Sequence, residues 1–174
     1  MPAPRFAALL NEQIGHELAA QHQYLACAFH YEALTMPRMA AFFYNQALEE
    51  RGHAMMMVKY LLDTDQTVEI PAVEAPVSTF EGVVGPLELA LAQEKQVTEQ
   101  INALLRTARE EHDYASEQFM QWFIKEQVEE VATVSDLLAV ALRNADDVED
   151  LEDYVSREHG DAGDDPTAPA QAGA

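Results

Sequence analysis

The chain has 174 residues, 48% of them hydrophobic, with 7 glycines and 8 prolines; such a chain builds one domain with its own core, which excludes a disordered protein or a turn-rich all-β fold. Lys and Arg total 10 against 31 Asp and Glu, a formal net charge of -21. A nucleic-acid partner is thereby excluded for want of a basic footprint, and a cation is favoured, solubility being the plainer use of the charge.

Five helices are predicted in chain order, because the prolines leave long stretches unbroken. The first covers about Ala3 to Leu34, and the second about Pro37 to Asp63, with proline at its first turn. An irregular link, Thr64 to Gly85, holds two prolines and two glycines. The third helix covers about Pro86 to Glu111 and the fourth about Tyr114 to Asn144. A short fifth, about Asp146 to Arg157, has acids in its first turn, where the helix dipole favours them. Residues 159–174 hold nothing bulky and apolar and are expected to be a disordered acidic, Ala-rich tail, leaving residues 1–158 as the folded domain. Cys27, alone, cannot form an internal disulfide, and Met1 to Arg5 has no apolar run of signal-peptide length. A cytoplasmic protein with no membrane partner is expected.

The four long helices carry apolar seams at steps of three and four, which predicts an all-α four-helix bundle. Short links make helices one and two, and three and four, antiparallel neighbours. The long middle link allows helices two and three to run parallel: a helix of about 27 residues spans roughly 40 Å, and an extended chain returns along it in a dozen residues or more.

Each seam carries a polar group near its middle: Glu17, Glu50, Glu94, then Gln127 with Glu130. A buried, unpaired carboxylate costs several kcal/mol, so carboxylates from four helices at one level need a shared cation. Glu50 and His53 lie three apart on one helix face, and Glu17 and Tyr24 seven apart on another. Oxygen donors with one imidazole suit iron or manganese. One metal would take Glu17, Glu50 and His53; a second would share Glu50 and add Glu94 and Glu130, with Gln127 close by. The second, held by oxygens alone, is expected to bind more weakly and exchange faster.

These residues, with Glu49-Glu50-x-x-His53, Gln118-Phe119-x-x-Trp122 and Glu126-Gln127-x-x-Glu130, resemble a bacterial non-haem ferritin over about residues 5 to 158. The resemblance implies a ferritin-like four-helix bundle with one long crossover between helices two and three and a short fifth C-terminal helix. It implies intracellular iron storage and detoxification in a shell of about 24 copies. Its ferroxidase centre would oxidise Fe(II) with O₂ or H₂O₂ at two irons, one held by Glu17, Glu50 and His53, the other by Glu50, Glu94 and Glu130 with Gln127 beside it. A third, weaker iron site would use Glu49, Glu126, Glu129 and Glu130, and Tyr24 would support electron transfer or hydrogen bonding at the centre. Bacterioferritins resemble this chain too, but carry a haem-ligating Met where Arg51 stands and a His where Glu130 stands, so no haem is expected.

Two rivals stay open on the residues alone: a di-iron oxidase acting on an organic substrate, and an acidic metal-buffering scaffold. His16, His22, His30, His112 and His159 read as surface residues, Met55, Met56 and Met57 as core filler, Trp122 and Phe119 as packing, and Cys27 as a buried small hydrophobe. The acids at 146, 147, 149, 150, 152 and 153 read as a solvated or pore-facing set.

Overall fold

A computed structural model describes residues 1–143, 148–159 and 165–173 of the chain. Its helices are α1 (Pro4–Ala33), α2 (Pro37–Asp63), α3 (Gly85–Glu110), α4 (Tyr114–Arg143) and α5 (Val148–Glu158), with no strand among the described residues. The expected end of the fourth helix at Asn144, the start of the fifth at Asp146, and residues 160–164 of the tail lie outside the described residues. Prolines occupy the first turns of α1, α2 and α3. Their missing N–H costs nothing at positions that have no intrahelical acceptor. Thr35, Asp65 and His112, just past the ends of α1, α2 and α3, take positive φ of 60°, 63° and 54°, the left-handed turn that closes a helix C-terminus.

α1 packs along α2, and α3 along α4. Contacts at the ends fix direction. Phe6 near the start of α1 meets Tyr60 near the end of α2, and Tyr60 stacks on Phe119 near the start of α4. Arg5 pairs with Glu110 at the end of α3. α2 and α3 are therefore parallel, and the link between them must return the length of the bundle. It does so pinned to α1 in order. The Asn11 side chain bonds Thr67 O and Glu69 N, Pro71 lies over Gly15, and Gln23 exchanges two 2.9 Å hydrogen bonds with the Val77 backbone. Tyr31 Oη then donates to Val83 O at 2.6 Å. These bonds satisfy backbone groups that an irregular segment would otherwise leave to water.

The apolar core is divided into two clusters. One holds Tyr24, Tyr31, Phe43, Leu87 and Leu137, and takes Leu151 and Val155 from α5. The other holds Phe6, Leu10, Met57, Ile101, Met120 and Phe123. Between them run the polar seam positions of all four long helices.

Two expectations change here. Glu152 is not merely solvated: it accepts from the backbone N–H groups of Arg38 at 3.0 Å and Met39 at 2.8 Å. α2 has no capping side chain of its own, so a carboxylate from α5 satisfies its first orphan donors. The tail is also not wholly loose. Asp165 accepts from Trp122 Nε1 at 3.1 Å, and Ala172 N donates to Met55 O at 3.1 Å. Polar docking of this kind leaves no apolar periodicity in the sequence.

Candidate metal centre

Glu17 of α1, Glu50 and His53 of α2, Glu94 of α3, and Gln127 and Glu130 of α4 occupy the layer between the two apolar clusters. All six are at most 6% exposed. Ligand atoms of Glu17, Glu50 and His53 lie within 4.8 Å of one another. His53 Nδ1 is 3.3 Å from Glu50 Oε2 and 3.9 Å from Glu17 Oε2. The imidazole is fixed by ring edges: Trp122 and Phe123 lie with centroids 5.6 Å and 5.9 Å from it. Gln13 donates to Glu17 Oε1 at 2.9 Å, which leaves Glu17 Oε2 buried with no hydrogen-bond donor.

Glu94 is held from two sides. The Tyr24 hydroxyl donates to its Oε1, and Gln127 Nε2 donates to Oε2 at 3.1 Å. Gln127 also reaches the Glu94 carbonyl and Thr98 Oγ1, each at 3.3 Å. The structure thus groups Glu17, Glu50 and His53 on one side of the layer, and Glu94, Tyr24 and Gln127 on the other. Gln13, which orients the Glu17 carboxylate, and Thr98, which accepts from Gln127, lack any local signal that marks them as more than seam positions.

Burial dominates the electrostatics. Loss of solvation pushes the Glu17, Glu50 and Glu130 carboxyls well above their ordinary 4.5 and Glu94 up to about 7. Mutual repulsion adds to it: Glu50 raises Glu17, and Glu94 raises both Glu50 and Glu130. Burial and repulsion together favour the neutral form of these carboxyls, and a divalent cation in the layer would offset the same repulsion.

The carboxylates expected at a third site lie outward of this layer. Glu49 and Glu126 are half-buried, Glu129 is exposed, and together with Glu130 they line a cavity of about 350 Å³. Burial raises Glu49 and Glu126 as well. Glu129 pairs with Lys125 at 3.5 Å. A second cavity, of about 470 Å³, reaches His53 and is bordered by Trp122, Glu126 and the tail residues Asp165 and Gln171. Asp165 lay in a segment expected to be disordered, so its place beside Glu126 was not legible. His159, read as a surface residue, is only partly exposed and its Nε2 is buried.

Buried carboxylates from four helices, two of them beside one imidazole, make a candidate metal centre inside a helical bundle. Comparison with known proteins places it: the chain belongs to the ferritin family, its residues 7–143 matching the ferritin-like domain. It is 50% identical over 169 residues to ferritin BfrB of Mycolicibacterium smegmatis, covering 97% of this chain and 93% of that protein. It is 36% identical to a bacterial non-heme ferritin of Staphylococcus aureus, over 79% of this chain and 83% of the relative. The open pore ferritin of the archaeon Archaeoglobus fulgidus superposes with a TM-score of 0.85 at 28% identity, over 89% of this chain and 96% of the other. No helix among the described residues is long and apolar enough to cross a membrane.

Proposed function

We propose that this chain stores and detoxifies iron by oxidising Fe²⁺ within the carboxylate layer and passing Fe³⁺ to a mineral enclosed by a shell of about 24 copies. The observation that carries this reading is the buried group of Glu17, Glu50 and His53, with a Glu17 oxygen that has no hydrogen donor. One iron takes these three residues. The second shares Glu50 and takes Glu94 and Glu130, with Gln127 holding Glu94. Each Fe²⁺ gives up one electron; O₂ takes two electrons and two protons and leaves as H₂O₂, or H₂O₂ takes them and leaves as water. Rising metal charge is stabilised by carboxylates in a layer shielded from water. Tyr24 and Gln127 keep Glu94 oriented, so the second iron meets a preset ligand. The oxygen-only second position supports turnover of iron through the site rather than a resident cofactor.

Outward passage is supported by the acid-lined cavity of Glu49, Glu126, Glu129 and Glu130, which we assign to a third, weaker iron position. Assembly into a shell is supported by the family and by large apolar residues exposed on one chain, among them Phe29, Leu62 and Leu142. One free, buried cysteine supports work in the reducing cytoplasm. The ferritin-like unit of this reading is residues 1–158, with the tail docked on it through Asp165 and Ala172. Glu50→Ala tests it: the rapid phase of Fe²⁺ oxidation in air disappears, because Glu50 serves both irons. A variant that keeps that phase at full amplitude overturns the assignment.

A further inference from the structure

The cavity of about 350 Å³ between α2, α4 and α5 is lined by two lone-pair donors that the iron sites above do not use. Gln46 is 7% exposed; its Nε2 donates to Glu49, and its Oε1 has no hydrogen-bond partner. His159 stands just past the end of α5. Its ring is held edge-on by Phe42 and at a tilt by Tyr154, with centroids 5.6 Å and 6.0 Å away, and its Nε2 is buried without a partner. A buried amide oxygen and a buried imidazole nitrogen left bare each cost on the order of 1–3 kcal/mol. The walls around them carry the carboxylates of Glu49, Glu126, Glu129, Glu130, Glu158 and Asp165, which accept and cannot donate once ionised, and the donors that also line the cavity, on Asn45, Thr133 and Lys125, bond neither atom. Both residues border the one cavity, where a bound cation would meet these atoms and offset the charge of the wall.

We propose that Gln46 Oε1 and His159 Nε2, with the Glu49 carboxylate that Gln46 holds in place, form a separate binding site for a divalent transition-metal ion beside the di-iron layer. Amide oxygen, imidazole and carboxylate together suit Fe²⁺, Co²⁺ or Zn²⁺ better than Mg²⁺ or Ca²⁺, which take oxygen alone. The aromatic cage orients the imidazole as a ligand shell requires. Its place in iron traffic, as a station sharing Glu49 with the outward path, rests on the storage reading; the site itself rests on the two orphaned donors.

Zn²⁺, which undergoes no oxidation, is the probe. Assembled apo protein is titrated calorimetrically, as wild type, His159→Phe, Gln46→Leu and Glu50→Ala. Phenylalanine keeps the ring packing on Phe42 and Tyr154 and removes only the donor nitrogen. His159→Phe is expected to bind one Zn²⁺ fewer per chain than wild type, and Gln46→Leu to weaken that same ion by roughly tenfold. Unchanged stoichiometry and affinity in His159→Phe overturns the site. Glu50→Ala loses Zn²⁺ of the di-iron layer and keeps the His159-dependent ion. If Glu50→Ala binds as wild type does while His159→Phe still loses its ion, the storage reading fails and this site stands.

Discussion

Replacing Glu94 by glutamine separates what the carboxylate layer does for folding from what it does for metal. Glu94 is fully buried, and loss of solvation raises its carboxyl from 4.5 to about 7, against the lowering effect of the Tyr24 hydrogen bond. The folded state therefore holds a proton that the unfolded chain has released. The stabilisation this gives is complete below about pH 4.5 and is lost as pH rises through about 7, a swing of about 3 kcal/mol per chain. Glutamine has the same shape, still accepts from Tyr24 through Oε1 and cannot ionise, and it gives up the 3.1 Å bond that Gln127 Nε2 makes to Glu94 Oε2, which sets about 3 kcal/mol as a ceiling. Apo Glu94→Gln is then expected to exceed apo wild type in stability by up to about 3 kcal/mol at about pH 8, a rise in midpoint on the order of 10 °C. The gain vanishes near pH 4.5, where both side chains are neutral. With Zn²⁺ bound the order reverses, because the carboxylate is the better ligand. Scanning calorimetry of apo and Zn²⁺-loaded protein at both pH values measures all four quantities. An apo Glu94→Gln protein that melts below wild type at about pH 8 refutes the idea that the layer is strained until a cation arrives.

Tyr24→Phe removes the hydroxyl that positions Glu94 and is expected to slow the rapid oxidation phase by roughly tenfold while leaving its iron stoichiometry intact, as read by stopped-flow absorbance. Gly15→Ala places a Cβ inside the contact distance of Pro71, so the link must lift from α1; a loss of about 1–3 kcal/mol is expected from thermal unfolding. Asp165→Ala takes the acceptor from Trp122 and a partner from Lys125, so amide exchange over residues 165–173 is expected to speed up and Trp122 fluorescence to shift to the red.

Much of the bundle was legible because its signals are local. The expected bounds of the second helix, Pro37 to Asp63, match α2, since proline opens it and the apolar steps run unbroken to its end. The long link read as a return along the bundle because two parallel helices of this length demand one. Polar residues inside apolar seams were visible for the same reason, and the structure brings Glu17, Glu50 and His53 together. What was not legible depends on contacts distant in sequence. Glu152 caps α2 from 114 residues away. Asp165 reaches Trp122 across 43 residues, and the Nε2 of His159 is buried only because α5 folds back onto α2 and α4. No periodicity encodes such single polar contacts, whereas an apolar stripe repeats its message every turn.

Oxidation stoichiometry tests the central claim most directly. Apo protein is mixed with increasing Fe²⁺ in air and the Fe³⁺ absorbance is followed by stopped flow. A rapid phase that saturates near about two irons per chain, followed by slower growth with all iron remaining in solution, is the predicted result. Iron that oxidises and precipitates as it does in buffer, with no saturable rapid phase, contradicts a working di-iron centre in this layer.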